Sequence, residues 1–179
     1  AARAGDAELY AHALEGLAEL IAQSLDDADL GERTGVPSML RTSHHAAEAW
    51  IRAGELRRRG GDPWGAVAAL SAAAERLHDS ALVARLRMAA ADAAGDSAAA
   101  VTIAREQLAS GVGGPSGAAL WMRLGLAAEA EGELAGALEA YGKALDLDPR
   151  SVPALVLRTD LLAQGDDPSK LAESMEVQA

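Results

Sequence analysis

The chain has 179 residues, half of them apolar, with 44 alanines, no phenylalanine, no cysteine and a net charge of −11. Its length fits one domain or a short repeat array able to bury a core. The missing cysteines exclude disulfides and thiol chemistry, the acidity opposes nucleic-acid binding, and no apolar run reaches the roughly 20 residues of a membrane span.

A composition of Ala and Leu, with sparse and non-alternating Val, Ile and Thr, predicts an all-α fold with no sheet. The chain begins at Ala1 without an initiator Met or a signal-peptide pattern, which reads as a mature product or a piece of something longer. A cytoplasmic location is the expectation, with a periplasmic or mature secreted form as the alternative.

The first predicted element is an amphipathic helix over 7–25, with Leu9, Tyr10, Ala13, Leu14, Leu17, Leu20 and Ile21 on one stripe. It is followed by an acidic, glycine-punctuated loop over 26–36, and Pro37 is placed to open the next helix. His44, His45 and Glu48 share a helical turn, but two ligand types on one helix do not make a metal site, and a solvated helix start is the reading. Residues 1–46 are therefore expected to form an N-terminal cap.

From Ala47 a ruler can be laid on the chain. With Ala47 as position 1, Trp50 falls at 4, Gly54 at 8, Gly61 at 15, Ala66 at 20, Leu70 at 24 and Ala73 at 27. With Ala81 as position 1, Ala84, Gly95, Ala100 and Ala104 take positions 4, 15, 20 and 24. With Ala118 as position 1, Trp121, Leu124, Gly125, Gly132, Ala137, Tyr141, Ala144 and Pro149 take positions 4, 7, 8, 15, 20, 24, 27 and 32. A fourth unit begins near Val152, and its register slips after Gly165, where Leu171 and Ala172 straddle the place of one small residue. Each unit reads as two helical runs parted by a glycine, with small residues at 8, 20 and 27 allowing close approach and the larger ones filling the space between axes.

The "GVGGPSG" stretch within 109–117 follows a helix and lacks a Gly-Lys-Ser/Thr ending, so it reads as a loosened connection and hinge, not a phosphate loop. "RRR" at 57–59 reads as a basic helix C-terminus. No Ser stands in a nucleophile elbow, no catalytic constellation emerges, and no cofactor is implied. The protein is expected not to be an enzyme.

This spacing resembles the tetratricopeptide repeat, with its W-x2-L-G pattern and later A and P. The departures are Arg57, Ala91 and Ala128 at position 11, where the pattern has Tyr, and His78 and Val112 at position 32. The resemblance implies an α-solenoid of helix-turn-helix repeats over 47–179 whose first helices line a concave groove. Carried to this sequence, groove positions hold Arg52, Glu55 and Arg59, then Leu82, Arg85 and Leu86, then Met122 and Arg123. Arg52, Arg85 and Arg123 would form a ladder suited to carboxylates, with Met122 adding apolar contact. The plain alternative pairs these arginines with Glu48, Glu55 and Asp92. The family's clamp for chaperone-tail carboxylates does not fit, since Ile51, Glu55, Leu86 and Ala119 stand at its positions and Arg123 alone agrees.

Charges are unevenly spread. Residues 1–46 carry 3 basic and 8 acidic side chains, 47–80 carry 5 of each and 81–117 carry 3 of each. The expected function is thus a non-catalytic interaction module or scaffold that takes an acidic or amphipathic peptide or protein segment. The alternative is a structural or self-associating subunit, or one segment of a longer scaffold.

Overall fold

A computed structural model describes residues 2–27, 33–40, 42–78 and 80–164. The register slip read beyond Gly165 lies outside the described residues. Among those described there are eight α-helices and no strand: α1 (Ala2–Asp26), α2 (Ser43–Gly60), α3 (Pro63–Arg76), α4 (Ala81–Ala94), α5 (Ser97–Ala109), α6 (Gly114–Ala130), α7 (Leu134–Leu147) and α8 (Val152–Gln164), with one 3-10 turn at Ser38–Leu40. The chain divides into two compact units, Ala1–Ala100 and Val101–Ala179. In the first, α1 packs on α2, α2 on α3 and α3 on α4; in the second, α6 packs on α7 and α7 on α8.

The turns inside the repeats are built from local chemistry. Gly61, Gly95 and Gly132, all at position 15, have φ of 87°, 67° and 78°, a backbone region that only glycine enters without strain. Each closes the helix before it with the same pair of hydrogen bonds. Gly61 N donates to Arg58 O at 3.3 Å and Asp62 N to Arg57 O at 2.9 Å; Gly95 and Asp96 repeat this on Asp92 O and Ala91 O, and Gly132 and Glu133 on Glu129 O and Ala128 O. The last carbonyls of the helix are thereby satisfied. In two of the turns the next residue also starts the following helix: Asp62 Oδ1 accepts from Gly65 N at 2.8 Å, and Asp96 Oδ1 from Ala99 N at 2.9 Å.

Asp62 has a second partner, since its Oδ2 accepts from Arg57 Nη1 at 2.8 Å. The Gly65 amide first, and then the Arg57 guanidinium, hold its carboxyl below the usual carboxylate range against the opposing effect of burial. A depressed folded-state pKa contributes stability that is complete above the unfolded value of about 4 and is lost as pH falls through the lower folded value. Asp62→Asn keeps the cap but removes the titration, so its urea midpoint below about pH 4 should fall less steeply with acid than that of the native chain.

Hairpin packing follows the small positions. A Cβ on Gly54 would stand 2.6 Å from Leu70 Cγ, and one on Gly125 would stand 2.4 Å from Tyr141 Cε1. Position 8 thus yields to the large residue at position 24, and Leu70 and Tyr141 are fully buried. Ala66, Ala73, Ala137 and Ala144 are buried without residual exposure, so the helix axes close over methyl groups. Trp50 packs with Leu56 on the Leu14, Ala53 and Ala69 cluster, while Trp121 covers Ala118, Ala144, Leu145 and Ala154.

Three expectations are corrected. Of the seven residues on the α1 stripe only Leu14 and Ile21 are buried, and the face turned inward is Ala11, Leu14, Ala18, Ile21 and Ala22. Alanines let α1 approach α2 more closely than leucines would. Pro37 does not open a helix; Leu40 N donates to its carbonyl at 2.8 Å in the 3-10 turn, and α2 starts at Ser43 under Thr42, whose side chain accepts from His45 N. Finally, "GVGGPSG" is no loose connection. Its last four residues form the first turn of α6, and a Cβ on buried Gly117 would meet Val112 O at 2.6 Å. Gly117 serves close backbone approach, Gly111 and Gly114 take positive φ in the turn before it, and Pro115 presets the first turn of the helix.

Candidate functional site

The proposed contacts lie on the first helix of each repeat. On α2, Arg52 is well exposed and donates from Nη2 to Glu48 Oε1 at 2.5 Å. Glu55 accepts from Arg58 through both oxygens, Nε to Oε1 at 3.2 Å and Nη2 to Oε2 at 3.3 Å, and Arg59 Nη2 stands 3.4 Å from the same Oε2. Arg52, Glu55 and Arg59 therefore share one helix, with Glu55 held by the two arginines of the following turn. Exposed pairs of this kind are weak and yield easily to a better-placed carboxylate.

Arg85 stands exposed on α4 beside Leu82, whose side chain is 52% exposed. Ile51 from α2 and Leu86 from α4 pack on the same buried cluster of Ala66, Leu70 and Ala90. The two helices are thereby tied through apolar residues next to their exposed cations.

In the second unit Met122 is a packing residue. It lies against Ala118, Ala144, Leu145 and Ala154, and its sulfur accepts from Ser151 Oγ at 3.6 Å. Arg123, its neighbour, is half-buried. The same helix pair carries two polar contacts that sequence reading missed. Tyr141 Oη donates to Glu129 Oε2 at 2.8 Å, and Lys143 Nζ sits 4.4 Å over the Trp121 ring. Burial foremost, together with the Glu129 carboxylate, raises the Tyr141 phenol well above its ordinary value and keeps it a donor.

Another group missed in the sequence ties α1 to the first repeat. Arg57 Nε and Nη2 donate to Glu15 Oε1 and Oε2 at 2.5 and 2.7 Å, while Nη1 reaches Asp62. Arg57 occupies position 11, where the repeat pattern has Tyr, and its departure from the pattern is the available signal: an ion pair to a preceding helix replaces an aromatic contact. The Glu15 bond is the main cause raising the guanidinium pKa, with Asp62 adding to it against burial. A cavity of about 240 Å³ opens alongside, lined by Gly5, Glu8, Leu56, Arg57, Gly60, Gly61 and Asp62.

Among the described residues no three His, Asp or Glu side chains gather as a metal would need, and no helix is long and apolar enough to cross a membrane. Glu48, one helical turn from His44, accepts from Arg52 Nη2.

Residues 118–151 match the tetratricopeptide repeat family. The match opens on Ala118, the residue that the spacing sets as position 1, and the family resemblance read from Trp121 to Pro149 is thereby shown for that repeat. No curated protein sequence matches the chain. Among solved structures, a crystal structure of MamA aligns with a TM-score of 0.54 at 20% identity over 73% of each chain. A MamA structure from Desulfovibrio magneticus RS-1, running from residue 41 to its end, aligns with a TM-score of 0.54 at 21% identity over 92% of this chain and 93% of that one. At such identities the likeness is one of fold: all-α, built from helix-turn-helix repeats of the α-solenoid kind.

Proposed function

We propose that this protein is a non-catalytic interaction module in which residues 1–46 cap a repeat array running from residue 47. Its first helices take an acidic, amphipathic segment of a partner protein. The carrying observation is the pair of faces on α2 and α4: exposed Arg52 and Arg85 flank apolar contacts of Ile51, Leu82 and Leu86, and the buried cluster under Ile51 and Leu86 holds the two helices. Glu55 and Arg59 border this face on α2; in the second unit, Met122 and Arg123 hold the same repeat positions on α6 as Ile51 and Arg52 on α2. A guanidinium beside an exposed leucine suits a helix or strand that alternates carboxylates with apolar side chains. A repeat surface of this kind supplies affinity and alignment and performs no covalent step.

Fluorescence anisotropy with a fluorescein-labelled amphipathic peptide of Leu and Glu tests the reading. The native chain should bind it in a salt-sensitive manner, and Arg52→Glu with Arg85→Glu should weaken binding by about tenfold or more while leaving the helical circular dichroism unchanged. Equal binding by the native and charge-reversed proteins would remove these arginines from the contact surface.

A further inference from the structure

In a complete hairpin the second helix lies on one particular face of the first. On α6, Ala118 at position 1 packs with Ala144 and Leu145 of α7, Met122 at position 5 leans on the same cluster, and Gly125 at position 8 lies under Tyr141. Ala47 and Gly54, at positions 1 and 8 of α2, are likewise buried. The first helix of the fourth unit, α8, has no such cover among the described residues. Its Ala154 and Leu161 turn inward onto α7, while Val152 at position 1 and Val156 at position 5 are 66% and 47% exposed. At about 100° per residue Val152, Val156, Thr159 at position 8 and exposed Ala163 fall within about 60° of one another, opposite Leu161.

The chain after α8 repeats the chain after α2. "GDDP" at 165–168 stands at positions 14–17 of its unit, as "GGDP" at 60–63 does in the first. There Asp62 caps α3 through the Gly65 amide and Pro63 is the first helical residue, and Asp167 and Pro168 hold those same two places. Asp166 replaces Gly61, and aspartate is among the few side chains that tolerate positive φ. From Pro168 a helical wheel gathers Leu171, Ala172, Met175 and Ala179 within about 100°, with Lys170, Glu173 and Ser174 on the far side. Met175 falls at position 24, the place of Leu70 and Tyr141. Two departures remain: Gln178 takes the alanine place at position 27, in what would be the last turn, and Leu171 takes the alanine place at position 20. Thr159, where α2 and α6 have glycine, would hold the axes farther apart, and the longer Leu171 fills the space this adds.

We propose that residues 168–179 form the second helix of a fourth hairpin and dock on the Val152, Val156 and Thr159 face of α8, with Met175 over Thr159 and Ala179 toward Val152. Residues 165–167 suffice for the turn, since α2 and α3 are joined by Gly61 and Asp62 alone. Twelve helical residues span about 18 Å, close to the length of α8 with its 13. So short a helix is marginal by itself in water, and the apolar face of α8 supplies what it lacks. Lys170, Glu173 and Ser174 then give the hairpin a polar outer surface. The inference extends the repeat array of the proposed function and uses none of the contacts on α2 and α4, so either reading can fail without the other.

The chain has no cysteine, so a pair introduced into the full chain reports one contact unambiguously. Thr159→Cys with Met175→Cys joins positions 8 and 24, and Thr159→Cys with Val177→Cys is the control, because Val177 falls on the far side of the proposed helix while the loop to be closed is almost the same length. Under mild oxidation the first pair should close within one chain about tenfold faster than the second, as peptide mass spectrometry would show. In the unmodified chain the amides of residues 171–177 should exchange with deuterium at least about tenfold more slowly than in an unstructured peptide, and Val152→Ser with Val156→Ser should remove that protection. The proposal is overturned if the two cysteine pairs close at equal rates, or if those amides exchange freely in the unmodified chain. It is overturned equally if the disulfide joins two chains, or if light scattering shows a dimer that Val152→Ser with Val156→Ser dissolves, since a second copy would then occupy the face.

Discussion

Gly125→Ala is expected to destabilise the second unit by about 2 kcal/mol, although alanine is the better helix former by about 1 kcal/mol. The added Cβ would stand 2.4 Å from Tyr141 Cε1, 2.7 Å from Cδ1 and 3.0 Å from Cζ. A flexible side chain would swing aside at little cost. Tyr141 has no such freedom, because its ring is rigid and fully buried and its hydroxyl is anchored on Glu129. The ring, or the whole of α7, must shift. Gly142→Ala on the same helix provides the control: nothing lies within 4 Å of its added Cβ, so propensity acts alone and should stabilise by about 0.5–1 kcal/mol. Urea unfolding of the two variants gives changes of opposite sign, and a stabilised Gly125→Ala protein would show that α6 and α7 are not packed as described.

Arg57→Met is expected to cost about 2–3 kcal/mol in the first unit, chiefly through the partner it abandons. The Arg57 and Glu15 side chains are only 20% and 15% exposed and meet through two hydrogen bonds, so loss of the cation leaves a carboxylate largely away from water. Asp62 suffers less, being nearly half exposed and retaining the Gly65 amide. If the penalty lies in the orphaned carboxylate, Glu15→Leu added to Arg57→Met should recover most of the lost stability, because an apolar pair of similar volume can replace a buried ion pair with little change. A double-mutant cycle in urea measures this directly, and additive losses would mean that the contact of α1 with α2 does not run through the pair.

The repeat was legible in the sequence because its rules act over short distances. Gly61, Gly95 and Gly132 stop helices through their own backbone freedom, and the Asp after Gly61 or Gly95 starts the next helix through its own side chain. Positions 8 and 24 belong to one hairpin, so Gly54 with Leu70 and Gly125 with Tyr141 already stated how closely the helices meet. "GVGGPSG" was misread because four glycines suggest freedom when taken alone, whereas Gly117 is required by Val112 O and Leu147, contacts that the chain makes only once α6 and α7 are assembled. The cations of the candidate surface were visible as residues on α2, α4 and α6. The partners Glu48 for Arg52, and Arg58 and Arg59 for Glu55, follow from helical spacing, whereas the packing of Met122 under Ser151 does not.

By itself the sequence determined the all-α class, the period, and the turns at position 15, since these depend on backbone conformation and on side chains within a few residues of one another. The tertiary structure alone decided the rotation of α1 about its axis and the partner of Arg57. Alpha-1 carries apolar residues on two faces, so periodicity offers two inward orientations; contact with α2 selects the alanine side because small side chains bring the axes closest and multiply dispersion contacts. That choice sets Glu15 beside Arg57, 42 residues away in the chain, and turns four large apolar side chains outward.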